Sequence, residues 1–330
     1  MAAVIISRME YELICRWWKV AAAVCAGLII LTFFVGTGRQ DDLRSDDKSR
    51  LLIFGITFQP SELAKIGFMI TFSYHLAHLI KMEALNYPMN IIYLCLHGAV
   101  PVVLVHLAGD DGSALVFLFM FVVMMFAAGV KLRYFAVALG SLLVVVPILW
   151  FKIMDDFQKN RILILFNPAM DPELFFQQDR GATAIGSGQM TGQGLFNGTY
   201  IQNGKVPEDH NDFIFSVAGE ELGFLGAIAV LILLGAIMVR VLMIARRSRD
   251  ELGKFICVGF FAMVAFQTIA NIGMCLSLAP VIGITLPFFS AGGSSTSCLY
   301  LGLGLVFSVY MQSSSRYIGD SIGYGSYGYR

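Results

Sequence analysis

The stretch "VPEDHNDFIFSVAGEELG", residues 206–223, sets five acidic residues and a histidine against an apolar run that continues to residue 245. A run of that length is read as a membrane span, because about 20 apolar residues cross the ~30 Å hydrocarbon core. Similar runs recur at 20–36, 63–80, 90–107, 114–130, 133–151, 255–280 and 294–312, which makes eight expected spans. Composition agrees: 57% of the chain is hydrophobic and 14% is charged, against roughly 25% charged in soluble domains. Mean hydropathy is +0.72. Outer-membrane barrels show ~10-residue alternating segments instead. The expected fold is therefore an all-α polytopic membrane protein. The formal net charge of +0 provides no bulk attraction to nucleic acid.

Basic residues in short loops near span ends mark the cytoplasmic side. Arg8, Arg16 and Lys19, then Lys131 and Arg133, then Arg246, Arg247, Arg249 and Lys254 fall in the first, fifth and seventh exposed segments. All three lie on one side of the expected spans. Both termini are thus expected in the cytoplasm, with the 152–212 loop on the outer face. The 37–61 segment mixes basic residues with Asp41, Asp42, Asp46 and Asp47 and reads as a solvated loop. Residues 1–312 form one transmembrane domain; 313–330, rich in Gly, Tyr and Ser, reads as a disordered cytoplasmic tail. The apolar run after Lys19 ends in "FFVGTGRQDD" without a small-x-small cleavage site, so it reads as a retained span. The six cysteines lie in or beside spans and read as packing residues.

The 152–212 loop exceeds the length of an ordinary connector and reads as an ordered cap. Its "GSGQMTGQG" (186–194) lacks the spacing and the preceding strand of a dinucleotide-binding turn. A tight-turn loop is the main reading, and a backbone-amide cradle for phosphate is the other. "SDDK" (45–48) matches a Ser-x-x-Lys pattern without the partner motifs. His75 and His78 share a helix face and, with His97, read as polar packing instead of metal ligands. Glu62 and Lys65 are i, i+3 neighbours able to pair; holding helices together and binding substrate both stay open. If a helix begins near Asp212, that side chain caps it. Capping does not account for Glu220 and Glu221, which call for a polar cavity or cations such as Lys65, Arg161 and Arg180. The arrangement suggests a charged pocket at headgroup level, suited to a substrate with a lipid tail and a polar head.

Five ordered stretches carry a resemblance: "FQPSELAK" (58–65), "ILWFKIMDDFQKNRILILFNPAMDP" (148–172), "AIGSGQMTGQGLFNGT" (184–199), "VPEDHNDFIFSVAGEELG" (206–223) and "NIGMCLSLAPVIGITLPFFSAGGSS" (271–295). Over nearly its whole length the chain resembles the SEDS family (FtsW/RodA/SpoVE-like) of bacterial cell-wall polymerases of elongation, division and sporulation. The resemblance implies an inverting peptidoglycan glycosyltransferase of the bacterial cytoplasmic membrane. It would polymerise lipid II, an undecaprenyl-diphosphate-linked disaccharide-pentapeptide, beside a class B penicillin-binding protein that crosslinks the strands. It implies Asp212 as the catalytic base. Glu62, Lys65, Arg161, Arg180, Glu208, His210, Glu221, Ser290 and Ser294 would bind substrate. No metal ligand is assigned; basic groups or a divalent cation, Mg or Mn, would offset the leaving diphosphate. Three departures stand out. The family usually has ten spans, and the first span here aligns with the family's third. Its Arg-Trp appears as Arg50-Leu51. Its Gln-Pro-Asp-Leu-Gly-Thr appears as "AGDDGSA" (108–114), keeping Asp110, Gly112 and the hydroxyl of Ser113. Transport of the lipid-linked precursor and a non-catalytic scaffold for the penicillin-binding protein are the alternative functions; no paired inverted repeats, the signature of a transporter, are visible.

Overall fold

A computed structural model of the chain describes residues 2–38, 48–53 and 55–321. Two short helices, α1 (Ala2–Arg8) and α2 (Tyr11–Arg16), precede the first long apolar helix, α3 (Trp18–Val35). A hairpin of β1 (Leu51–Ile53) and β2 (Ile56–Phe58) leads into α4 (Pro60–Lys81), α5 (Pro88–Leu107), α6 (Asp111–Ala127) and α7 (Leu132–Ile148). Then come α8 (Asp156–Leu163), α9 (Pro172–Ser187), α10 (Thr199–Gln202), α11 (Ile214–Arg246), α12 (Glu251–Cys275) and α13 (Gly293–Ser321). Among the described residues seven helices are long and apolar enough to cross a membrane, and α6 is a shorter apolar helix.

Local chemistry sets these boundaries. Pro60 and Pro88 open α4 and α5, where a missing N–H costs nothing. Asp110 caps α6 by accepting from the Ser113 N–H at 2.9 Å, and Asp250 caps α12 by accepting from the Gly253 N–H at 2.8 Å. Pro147 lies at the end of α7, and the next turn widens into a π-helix over Leu149–Ile153, the local adjustment expected where proline interrupts the hydrogen-bond ladder. The α12 helix is central and packs on α4, α6, α11 and α13. Its Phe255 and Phe260 are buried with Phe72, Phe117, Met120 and Met124. Lipid tails are as apolar as these side chains, so dispersion and close fit drive packing between spans. By contrast, α7 carries no buried residue.

Three boundaries depart from expectation. The expected 255–280 span stops at Cys275, because Ser277 turns to φ 55° and residues 276–292 run as irregular chain. The expected tail at 313 is helical as far as Ser321; the rest of it, like most of the "SDDK" match, lies outside the described residues.

The third departure concerns the decisive stretch. The α11 helix is broken at Gly223 (φ 70°, ψ −168°), a conformation open to glycine at little cost. In an unbroken helix the N–H groups of Phe224 and Leu225 would bond the carbonyls of Glu220 and Glu221. Here they donate to Gln189 O (2.8 Å) and Met190 O (3.2 Å), while Gln193 N and Gly194 N donate to Glu220 O and Glu221 O, each at 3.0 Å. The "GSGQMTGQG" stretch is thus spliced into the helix and satisfies four backbone groups that a low-dielectric setting would penalise if left unpaired. Close approach requires glycine: a Cβ at Gly188 would lie 2.0 Å from Gly219 O, and one at Gly192 would lie 2.1 Å from Glu221 O. This replaces the phosphate-cradle reading, since these amides are already bonded. Residues 224–246 alone are long enough, at 1.5 Å per residue, to cross the hydrocarbon. The first two turns, 214–222, are not needed to span it, so their carboxylates are not required to lie at hydrocarbon depth.

Candidate functional site

The segment leading into α11 is held by its backbone. Three successive carbonyls, of His210, Asn211 and Asp212, accept from Ala291 N (2.9 Å), Ser290 Oγ (2.6 Å) and Asn271 Nδ2 (2.7 Å). Asn271 also donates to Ile284 O at 2.8 Å, and Ser290 Oγ accepts from Leu286 N at 2.8 Å. The Cys275 thiol lies 3.6 Å from Asp212 O. Asp212, 3% exposed, therefore sits on a platform built by the end of α12 and the irregular 276–292 chain. It does not cap α11: Phe213 is the N-cap residue and no side-chain cap bond forms.

Ser290 links this platform to the start of α4. It lines a narrow cleft with Glu62, Gln267, Thr285, Ser295 and Thr296. The Lys65 Nζ lies 2.8 Å from Glu62 Oε1, and Lys65 is 1% exposed. The expected i, i+3 pair is present and almost fully desolvated, a setting where removing either charge is costly. Behind it, Asp110 accepts from Gln59 Nε2 and Ser61 Oγ, both at 2.6 Å. The "FQPSELAK" and "AGDDGSA" motifs thereby meet through side chains. Leu51 is 4% exposed and paired with Phe58 across the hairpin.

The sequence-derived residues divide. Asp212, Ser290, Glu62 and Lys65 converge on the platform and cleft, and Ser294 stands one residue from cleft-lining Ser295. Glu208 accepts from Asn211 Nδ2 at 2.8 Å. His210 is 79% exposed, 3.5 Å from Asp209. Arg161 on α8 lies 4.4 Å over the Phe157 ring, and Arg180 on α9 lies 5.0 Å over the Phe176 ring. Neither of these, nor Lys65, neutralises Glu220. That fully buried carboxylate accepts from neutral donors, Tyr200 N (2.7 Å), Ile201 N (3.1 Å) and Thr199 Oγ1 (3.4 Å), while Ser187 Oγ, 3.3 Å away, donates to Ala184 O at 2.8 Å. Glu221 is buried as well, and its carbonyl accepts from Gly194 N. His75 meets His97 at 3.1 Å between ring nitrogens, not His78, and His97 also contacts Thr71 Oγ1 at 3.1 Å. Among the described residues no group of three or more His, Cys, Asp or Glu is placed to hold a metal ion. Two residues escaped the sequence reading in their roles: Asn271, quoted only as the first letter of a motif, and Glu220, whose partners are mostly backbone.

Fold and site together define a multi-pass, predominantly helical membrane protein with a buried aspartate on a hydrogen-bonded platform. The chain belongs to the FtsW/RodA/SpoVE family: the model FTSW_RODA_SPOVE, described as cell cycle protein, matches residues 1–315. It is 33% identical over 269 residues to the peptidoglycan glycosyltransferase MrdB of Escherichia coli K12, covering 81% of this chain and 72% of that protein. It is 32% identical over 317 residues to a Geobacter metallireducens protein named "Probable peptidoglycan glycosyltransferase FtsW", covering 93% and 80%. Among solved structures it is similar to a chain from a study of how a peptidoglycan synthase complex coordinates polymerization and crosslinking (TM-score 0.77, 27% identity, 94% and 86% covered). It is also similar to the rod shape determining protein RodA of Thermus thermophilus (TM-score 0.68, 25% identity, 94% and 83% covered).

Proposed function

We propose that this chain is a peptidoglycan glycosyltransferase that polymerises lipid II at the outer face of the bacterial cytoplasmic membrane. The observation that carries the reading is the Asp212 platform: a buried carboxylate whose segment is fixed through three consecutive carbonyls, joined by Ser290 to the Glu62–Lys65 cleft. The names of the relatives support the reaction class. Asp212 accepts the proton of the acceptor sugar hydroxyl as its oxygen forms a bond to the donor anomeric carbon. The bond from that carbon to the lipid diphosphate breaks, and the diphosphate leaves with the electron pair, inverting the centre. A positioned base contributes typically ~10²–10⁴-fold. Lys65, Arg161 and Arg180 are the chain's candidates to offset the diphosphate charge. Chelation followed by return of Mg or Mn tests whether a divalent cation helps to offset that charge.

The basic residues Arg8, Arg16, Lys19, Lys131, Arg133, Arg246, Arg247 and Arg249 support cytoplasmic termini and an outward Asp212 face. The partner is a class B penicillin-binding protein, in keeping with the complex described for the similar solved chain. Polymerisation of labelled lipid II by the purified protein, with and without that partner, tests the reading. Glycan ladders are expected. Partner binding without ladders would indicate a scaffold, and lipid II movement across vesicles without ladders would indicate a transporter.

A further inference from the structure

Glu220 lies two turns beyond Asp212 on the part of α11 before the Gly223 break, is fully buried, and touches no cation among the described residues. Its carboxylate takes the N–H groups of Tyr200 and Ile201 and the hydroxyl of Thr199, while its carbonyl takes the N–H of Gln193. One residue therefore gathers four donors from a single strap of chain, 193–201. A Cβ on Gly198 would stand 2.8 Å from Glu220 Oε2, so the strap is pressed directly on the carboxylate. The strap leads back to the site: Tyr200 and Ile201 pack against the cluster that contains Phe213 and Val206. Those two residues bracket the segment whose carbonyls rest on the platform.

We infer that Glu220 is a positioning residue for Asp212, an inference that rests on the glycosyltransferase reading above. By holding Tyr200 and Ile201, it fixes one wall of the 206–213 segment, opposite the platform of Asn271 and Ser290. A carboxylate suits this task because a charged acceptor makes shorter and stronger bonds to N–H groups than a neutral one. The splice at Gly223 makes the arrangement cooperative: the break that frees the Glu220 carbonyl lets the strap bond it, and the strap then brings its amides to the carboxylate. Misplacement of reacting groups by about 1 Å, caused from a distance, can reduce turnover ~100-fold.

The test compares wild type, Glu220→Ala and the near-isosteric Glu220→Gln in detergent. It reads amide hydrogen exchange over 199–202 together with kcat and KM for lipid II polymerisation. Expected for Glu220→Ala are faster exchange at Tyr200 and Ile201 and a ~10–100-fold loss in kcat, with KM changed by less than about threefold. Glu220→Gln, which keeps one oxygen acceptor, should recover part of both. A melting transition retained by Glu220→Gln separates positioning from failure to fold. Unchanged exchange overturns the anchoring, and faster exchange with wild-type kcat overturns the link to Asp212. Absence of polymerisation by the wild type itself overturns the glycosyltransferase reading and the catalytic part of this inference, while the exchange comparison still decides the anchoring.

Discussion

The Nδ2 group of Asn271 stands 2.7 Å from the backbone carbonyl of Asp212 and 2.8 Å from that of Ile284. One buried amide thus ties the start of α11 to the irregular chain after α12. Both acceptors are buried away from water, where an unmade hydrogen bond costs ~1–3 kcal/mol.

Asn271→Ala should therefore lower stability by about 1–3 kcal/mol and slow lipid II polymerisation ~10–100-fold through misplacement of Asp212. Asn271→Asp should do at least as badly, because it offers an acceptor to two acceptors. Thermal melting in detergent beside initial rates checks both. Wild-type rates in Asn271→Ala would show that the platform does not need this amide.

The Glu62–Lys65 pair allows its two open roles to be separated. Glu62→Gln leaves the Lys65 ammonium buried without its partner, at a cost of ~3–5 kcal/mol, whereas replacing both with apolar residues often costs little. The double change Glu62→Leu with Lys65→Met should recover melting lost in the single variant. The pair lies within α4 alone and does not bridge helices; if the double change also recovers polymerisation its role is structural, and if melting returns without activity the charges contact substrate.

Gly192 has φ 81°, and a Cβ there would sit 2.1 Å from Glu221 O. Gly192→Ala should cost at least ~1–2 kcal/mol for the left-handed backbone alone and loosen the splice. Faster exchange at the Phe224 and Leu225 amides is the readout. Gly186, with nothing within 4 Å of its Cβ position, provides the control: Gly186→Ala should leave exchange unchanged.

At the opposite face, Tyr11 Oη donates to Asp250 Oδ1 at 2.9 Å, docking α2 on the turn between α11 and α12. Burial, with the Asp250 and Glu12 charges, pushes the neighbouring Cys15 thiol up to about 12. The thiolate is the reactive form, so native Cys15 should resist maleimide at pH 8. Asp250→Ala removes both the Tyr11 bond and the α12 cap, and should make Cys15 react measurably faster. Equal rates would show that Asp250 does not hold α2 down.

Much of this was legible in the sequence because it follows from local rules. Hydropathy located the apolar helices to within a few residues, and i, i+3 spacing gave the Glu62–Lys65 pair. The break in α11 was not legible, because Gly223 lies between apolar residues and leaves no mark on a hydropathy profile. The splice that repairs it joins carbonyls and amides about thirty residues apart, and backbone groups carry no sequence signature. For the same reason the sequence points to cationic partners for Glu220 that the structure does not place there. Its donors are two main-chain amides and the Thr199 hydroxyl, and their arrangement depends on how the strap folds back. The resemblance singles out Asp212 as a candidate site residue. The platform beneath it was not legible, since it is built from its own carbonyls and a distant asparagine.

The most direct test of the account compares Asp212→Asn with wild type in two assays on one preparation: binding of lipid II and its polymerisation. Asparagine keeps the size and the carbonyl anchoring but cannot accept the hydroxyl proton at neutral pH. A base at Asp212 predicts near-normal binding with turnover lowered by ~10²–10⁴-fold. Polymerisation by Asp212→Asn at the wild-type rate would contradict it.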